Sequence, residues 1–599
     1  MLNVRHVAVV LLISLLGACS STPKQTSSTS IPQANVASES VLSSIEQLIA
    51  NQRYIEAEEA LKKVDIYSIS ELEVIQYYWL SANLAVQLGR GEDAILALNA
   101  VQPGAFNRLS GMDPNRPSFL RAAALHLKGE FIASARERMF LAGVLSGEQY
   151  DNNHLAIWNS LLQAEEAQLE TFASQSSTRL YSGWLGLALI MKRNQLDIDK
   201  QLSKLRLWQA KYDGHPAAKQ LPGGLDQLEE FVENKAQYIA LLLPLSGKLA
   251  VTGQAVRDGI MAAYYSAKQS GAQVPEIRIY DTAKTPDFWS LYKQAILDGN
   301  ELIIGPLKKS SVERLQQESR LPVPTLALNY GNRDRLENPE QLFQYGLAVE
   351  DEAQLTAYYA RQQGYQSAIA LMPKGPWGER VFERFSEAWQ GQGGKLIEAQ
   401  FFSGEADYNK VISRLFAIDD SEARARNLRK QLGLKLESQP RRREDVDFIF
   451  VAALPKQARQ IKPTLAFNFA SDIPMLATSQ IYSGIPSRAK DRDLNDVVFC
   501  DIPWILEKSP LRTQVQSLWP RAKGSLDRLY ALGVDAFQLY PRLGQIKVFK
   551  YSSLQGETGR LSMDQYGQIV RSLPFAQFKN GYAVKTQGYV QDVQSSQGL

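Results

Sequence analysis

YIALLLPLSGKLAVTGQAVRDGIMAAYYS, residues Tyr238–Ser266, is the stretch that decides the fold. The unbroken apolar run Tyr238–Leu243 predicts a strand buried on both faces, as in a parallel sheet. Pro244 ends the strand, and Ser246-Gly247 and Gly253 loosen the connection after it. Val256, Ile260, Ala263 and Tyr264 then recur at helical spacing. A strand–loop–helix unit therefore opens at Tyr238, and everything before it reads as helical or unstructured.

Downstream, the unit repeats. Strands are expected at Ile277–Tyr280, Leu302–Leu307 and Pro324–Leu328, with helices over Phe288–Asp298 and from Ser310. A second set has strands at Ala368–Leu371, Lys395–Phe401, Asp447–Val451 and Pro474–Ala477, and helices over Gly378–Gln390 and Pro455–Phe467. Such alternation implies parallel sheets covered on both faces.

Upstream, residues 38–233 carry helical periodicity. Val41, Leu42, Ile45, Leu48 and Ile49 share one face. A turn followed by a helix and a small residue recurs at Gln52–Ala57, Gly89–Ala94 and Gly129–Ser134, with a fainter fourth copy around Gly186–Ile198. Ala57, Ala94 and Ser134 stand where paired helices must touch, and the pattern resembles tetratricopeptide repeats of irregular length. A generic helical bundle is the alternative. His126, His154, Trp158, Trp184 and Trp208 read as packing residues, and Asp213–Pro216 and Leu221–Gly224 as punctuation before the next domain.

The first residues read as an address. Arg5 precedes an apolar run, Val7–Leu16, too short to span a membrane. Leu16-Gly17-Ala18-Cys19 resembles the lipobox of bacterial lipoproteins, which makes Cys19 the lipidated residue; Ser20 after it implies sorting to the outer membrane. Ser20–Val36 is polar and reads as a disordered tether, spanning at most roughly 60 Å when stretched. The expected division is 1–18 signal peptide, 19–37 tether, 38–233 helical domain and 237–599 α/β domain, with its second lobe near 350–498.

Charge excludes one class of partner. With 66 Lys+Arg against 63 Asp+Glu the chain is not a general nucleic-acid binder. The two cysteines and four histidines form no ligand-spaced set, so no metal or other cofactor is expected. Cys500 is left as a small buried residue. Ser290-Leu291-Tyr292-Lys293 has the SxxK form without a KTG partner, and no P-loop or G-x-S-x-G elbow is present; no catalytic residues are expected.

PLSGKLAVTGQAVRDG, IIGPLKKSS, PKGPWGERVFERF and VDFIFVAALPKQARQ resemble type I periplasmic binding proteins, the Leu/Ile/Val-receptor group. The expected fold class is thus a helical array followed by a two-lobed α/β domain of that type. The resemblance makes Ser246, Ser310, Ser311, Asn329 and Tyr330 candidate cleft residues. It also exposes a departure: Ser479–Tyr482 stands where amino-acid receptors carry an acid for the ligand's amine. No small-molecule ligand is expected on that ground.

The lipobox, the repeats, the altered receptor domain and LPKQARQIKPTLAFNFASDIPMLATSQIYSG together resemble the LpoA family of outer-membrane lipoproteins that activate penicillin-binding protein 1A. The resemblance implies a non-enzymatic regulator of peptidoglycan synthesis, anchored in the outer membrane through Cys19, with that synthase as partner. A lipid-anchored solute receptor of a transporter is the alternative, and a cell-wall hydrolase or transferase the third. An inserted basic segment supplies a candidate contact: Arg424, Arg426 and Arg429 with interspersed leucines, then Arg441-Arg442-Arg443.

Overall fold

The computed structural model describes residues 35–175, 178–194, 197–333, 335, 337–403, 408–433, 437, 439–548 and 553–589. Cys19 and the segments expected to be the signal peptide and most of the tether lie outside them, as does Lys435 of the basic insertion.

The chain opens with helix Asn35–Ala50 and stays helical to Glu233. Three of its turns share one geometry. Arg53 N–H donates to Leu48 O, Arg90 N–H to Ala85 O and Glu130 N–H to Leu125 O, at 2.8–2.9 Å. The residue before each donor has positive φ: Gln52 (61°), Gly89 (73°) and Gly129 (86°). This left-handed cap ends one helix and turns the chain back, and glycine adopts it without strain. The next helix then brings Ala57, Ala94 and Ser134 to its crossing, each wholly buried. Ser134 Oγ donates to Ala122 O at 2.7 Å, so a polar side chain is satisfied there. The helix Glu71–Gln87 starts on a capping box between Ser70 and Glu73.

Two expectations for the array need correction. Gly186 is no turn; it lies inside helix Arg179–Arg193, against the Trp208 indole, and the turn comes just before helix Ile198–Lys211. Leu221–Gly224 is no loose punctuation either. Pro222, Gly224 and Leu225 are buried, and a Cβ on Gly223 would lie 2.6 Å from Trp158 Nε1.

The α/β domain has two lobes. In the first, β1 (Tyr238–Leu243), β2 (Glu276–Asp281), β3 (Leu302–Ile304), β4 (Arg320–Ala327) and β5 (Glu340–Gln344) form a parallel sheet in the order 2-1-3-4-5. Ile239–Leu243 are wholly buried, which is why the run carries no alternation. β4 begins at Arg320, ahead of the expected Pro324, and β5 has no counterpart in the sequence reading.

The second lobe contains β6 (Ser367–Pro373), β7 (Lys395–Phe402), β8 (Phe448–Val451), β9 (Met475–Ala477) and β10 (Val498–Cys500). The strands β11 (Leu554–Gly556), β12 (Gly559–Met563) and β13 (Ile569–Ser572) make a small antiparallel sheet of their own. The hairpin β14 (Pro574–Lys579) and β15 (Tyr582–Tyr589) then joins the second sheet antiparallel to β10, giving the order 15-14-10-9-8-6-7. Phe385 stacks on Phe450 at 4.0 Å between ring centroids and packs beside Trp389 and Phe448 in this lobe's core.

The chain passes between lobes after β5, after β10 and after β13. On the second passage, helix Asp527–Leu539 returns to lobe one and lies against helix Ala250–Gln269. Their backbones touch: a Cβ on Gly259 would sit 2.1 Å from Tyr530 O, and one on Gly533 2.1 Å from Val256 O. No other residue fits either position without separating the helices.

The array rests on both lobes. A Cβ on Gly393 in lobe two would sit 1.9 Å from Ile55 Cδ1, and one on Gly89 3.1 Å from Gln362 Cγ. At its other end, Gln201 Oε1 accepts from Arg542 Nη2 at 2.6 Å and Phe231 packs on Gly544.

Candidate functional site

In parallel sheets, ligands are met at the carboxyl ends of the strands, which here face the space between the lobes. The candidate cleft residues do not converge there on a free pocket. Ser246 is half-buried and its hydroxyl bonds Asp281. Ser310 is exposed and Ser311 half-buried in the first turn of the short helix Lys309–Leu315. Asn329 Nδ2 donates to Leu307 O at 2.9 Å and its Oδ1 accepts from Tyr330 N–H at 2.9 Å, so both ends serve the backbone. Tyr330 is not a cleft residue: it is buried, donates to Ile569 O in β13 at 2.7 Å, and lies under the Arg333 guanidinium at 4.0 Å.

Charged groups buried at the passages occupy the interlobe region instead. Glu352, in the first turn of helix Val349–Gln362, accepts from Ser479 N–H at 2.9 Å and Ser479 Oγ at 3.1 Å. Arg571 Nη2 of β13 lies 3.9 Å from the same carboxylate. Burial pushes the Glu352 carboxyl up to about 7, against the pull of Arg571 and Ser479. A backbone N–H, a hydroxyl and an arginine are what a receptor would offer the carboxylate of a ligand. In this chain Glu352 takes the N–H and the hydroxyl, while Arg571 Nε and Nη1 are buried without a hydrogen-bond partner among the described residues.

A second pair lies beside it. Arg528 donates to Asp501 Oδ1 at 2.9 Å and to the carbonyls of Ser479 and Tyr482 at 3.1 Å each. Burial raises the Asp501 carboxyl above the usual range, and Arg528 draws it back. Farther along, Asp535 accepts from the N–H groups of Glu557 and Thr558 at 2.7 Å each and from Tyr345 Oη at 3.2 Å. Burial pushes Asp535 up to about 6. Tyr345 follows β5, so these bonds tie the first passage to helix Asp527–Leu539 and to the β11–β12 turn.

The sequence reading found none of Glu352, Asp501, Arg528, Asp535 or Arg571. Glu352 ends the acidic run Glu350-Asp351-Glu352, which reads as an ordinary helix start. Its partner Arg571 lies more than two hundred residues on, so no local signal joins them.

The basic insertion forms helix Ile418–Leu432 and the extended segment after it. Arg424, Arg426 and Arg429 are exposed on the helix; Arg426 approaches Glu422 at 3.4 Å. Arg441 is exposed, Arg442 pairs with Asp472 at 2.5 Å, and Arg443 pairs with Asp445 at 2.7 Å. Ser290 of the SxxK match hydrogen-bonds Asp287, which caps the same helix. His126 Nδ1 meets Ser160 Oγ at 2.9 Å and His154 Nε2 meets Gln220 O at 2.8 Å, while Cys500 is buried as a free thiol. No helix among the described residues is long and apolar enough to cross a membrane.

Fold and site define a class: a helical-repeat array joined to a type I periplasmic-binding-protein-like domain in which the chain's own Glu352 engages Ser479 and Arg528 engages Asp501 between the lobes. Comparison with known proteins narrows it. The chain belongs to the LppC lipoprotein family, whose model, described as LppC putative lipoprotein, matches residues 23–581. It is 28% identical over 538 residues to the penicillin-binding protein activator LpoA of Photobacterium profundum, covering 89% of this chain and 86% of that one. Full-length LpoA from Haemophilus influenzae is 21% identical, over 93% of this chain and 96% of that one, with a TM-score of 0.48. The C-domain of that protein, described as a regulator of PBP1A, is 23% identical over 58% of this chain and all of its own length, with a TM-score of 0.46.

Proposed function

We propose that this protein is a lipid-anchored regulator of peptidoglycan synthesis that activates a bifunctional penicillin-binding protein of the 1A type by direct contact, with no chemistry of its own. One observation carries the reading: similarity runs through nearly the whole of both chains to a protein named as a penicillin-binding protein activator. The interlobe region supports it, because the Ser479 N–H and hydroxyl, donors of the kind a receptor offers a solute carboxylate, are bonded to the chain's own Glu352. Cys19 carries the lipid and holds the protein on the periplasmic face of the outer membrane. The chain divides into signal peptide 1–18, tether 19–37, array 38–233 and two-lobed domain 237–599. The α/β domain makes the activating contact.

The test is reconstitution. Lipid-free protein is added to the purified 1A-type synthase of the same organism, and glycan polymerisation and peptide crosslinking are followed from lipid-linked precursor. Stimulation that saturates near one regulator per synthase is expected. Absence of both stimulation and binding at micromolar concentrations refutes the reading.

A further inference from the structure

The amino ends of β8 and β9 lie at the edge of lobe two opposite the interlobe space, and the basic insertion and the loop after helix Pro455–Phe467 meet there. Hydrogen bonds make one surface of these segments. Arg441 N–H donates to Ser421 Oγ at 3.0 Å, Arg442 Nη2 donates to Asp472, and Asn468 Nδ2 donates to Asn409 Oδ1 at 2.6 Å.

Two groups of apolar side chains stand exposed on this surface. Phe467 is 74% exposed and Phe469 63% exposed. Phe469 also holds φ at 57°, a left-handed backbone that a bulky side chain rarely adopts and that costs on the order of 1–2 kcal/mol. The conformation is the left-handed cap that ends helix Pro455–Phe467, with Ala470 N–H donating to Leu465 O at 2.9 Å, and it leaves the ring in water. Beside it, helix Ile418–Leu432 buries only Ile418; Leu428 and Leu432, one turn apart, are 49% and 53% exposed. Arg424, Lys430 and Arg441 have no carboxylate partner among the described residues.

We propose that this edge is a docking surface for an acidic segment of a protein partner, with a large apolar side chain of that segment seated between Phe467 and Phe469. Charge complementarity selects an acidic occupant. Exposed aromatics beside arginines are the side chains that dominate the energy of protein interfaces. A bilayer is the poorer match. Asp419, Asp420, Glu422 and Asp472 alternate with the cations, so the surface matches carboxylates spaced along a polypeptide rather than the uniform negative charge of anionic headgroups. In taking the partner to be the synthase, the proposal rests on the function proposed above.

The experiment uses full-length lipid-free protein and two variants, Phe467→Ala/Phe469→Asn and Arg424→Glu/Arg426→Glu/Arg429→Glu. Asparagine accepts positive φ, so the first variant keeps or raises the melting temperature while losing both rings. The probes are the purified 1A-type synthase, an acidic helical peptide with leucine and tryptophan anchors, and vesicles of anionic phospholipid. For synthase and peptide, the aromatic variant is expected to bind about tenfold more weakly through faster dissociation. The charge variant is expected to associate about tenfold more slowly in 50 mM salt and to approach wild type in 300 mM. Wild-type affinity of both variants for synthase and peptide overturns the proposal. Loss of vesicle binding alone also overturns it, in favour of a membrane surface. If wild type fails to bind the synthase, the function proposed above falls, and the peptide decides the surface: binding lost in both variants upholds it, and no binding to wild type overturns it.

Discussion

Replacing Arg528 by methionine tests whether the interlobe charges are structural. In wild type the guanidinium holds Asp501, which is wholly buried, and satisfies the carbonyls of Ser479 and Tyr482. Methionine keeps much of the volume and none of the donors. Removing one partner of a buried pair costs about 3–5 kcal/mol. Linkage sets a ceiling, because Asp501 can escape by binding a proton. Keeping a carboxylic acid protonated costs about 1.4 kcal/mol per pH unit above its ordinary value near 3.9, which is about 5 kcal/mol at pH 7.5 and about 1.5 at pH 5.0. The freed carbonyls add about 1 kcal/mol each at either pH.

The sign follows from the protons. The folded variant keeps a proton that its unfolded chain loses, so its stability relative to wild type falls as pH rises. Urea denaturation followed by circular dichroism is expected to show a loss of at least about 4 kcal/mol at pH 7.5, shrinking by about 3 at pH 5.0. The double variant Asp501→Leu/Arg528→Met should recover most of the loss, since a buried pair exchanged for apolar groups is near neutral. A loss below about 1 kcal/mol, or one equal at both pH values, refutes the reasoning.

Glu352→Gln removes the carboxyl that burial holds at about 7 and should gain stability relative to wild type between pH 5 and 7, by up to about 1.4 kcal/mol per unit; a pH series of urea midpoints checks it. The wild-type folded state keeps that proton and so loses stability over the same window as pH rises. Gly533→Ala puts a Cβ 2.1 Å from Val256 O and should destabilise by about 1–3 kcal/mol, although alanine in an unobstructed helix gains roughly 1 kcal/mol over glycine; a raised melting temperature would contradict the helix contact. Cys19→Ala should abolish incorporation of labelled palmitate and leave the protein out of outer-membrane fractions, which envelope fractionation checks.

What the sequence revealed depended on how locally the structure is determined. Ile239–Leu243 could be read as a central strand because both faces are buried, and the turns at Gly89 and Gly129 because a left-handed cap selects glycine. Gln52 makes the same turn, and there the following helix carried the signal. The late strands were missed for a physical reason. β14 and β15, PFAQFK and YAVKTQGY, mix polar and apolar residues as antiparallel strands near a sheet edge do, and neither shows a long run. Tyr330 was misplaced because its position after β4 is local, whereas its direction is set by Ile569, 239 residues away. The basic insertion was visible as composition. Its neighbours Phe467 and Phe469 stand at and just past the end of an expected helix, and their exposure is set by the fold rather than by local sequence.

The contacts of the array bear on how a receptor fold comes to serve a regulator. Receptors of this architecture work by closing two lobes on a ligand, so their interlobe charges must be free and their hinge must turn. Here several of those charges are already paired, and the array contacts both lobes. Glu352 accepts from Ser479, and Arg528 donates to Asp501 and to Ser479 O, at the passages. The array touches lobe two at Ile55 and Gly89, and its other end touches Arg542 and Gly544, just past the helix packed on lobe one. Lys585 of β15, 3.7 Å from Glu165, adds a contact between lobe two and the middle of the array. A hinge motion that separated the lobes would have to break one set of these contacts. For the function proposed above, such bracing means that a partner meets a surface already formed, which favours affinity by lowering the ordering cost of association. The helical array thereby joins the two lobes through contacts at both of its ends and at its middle.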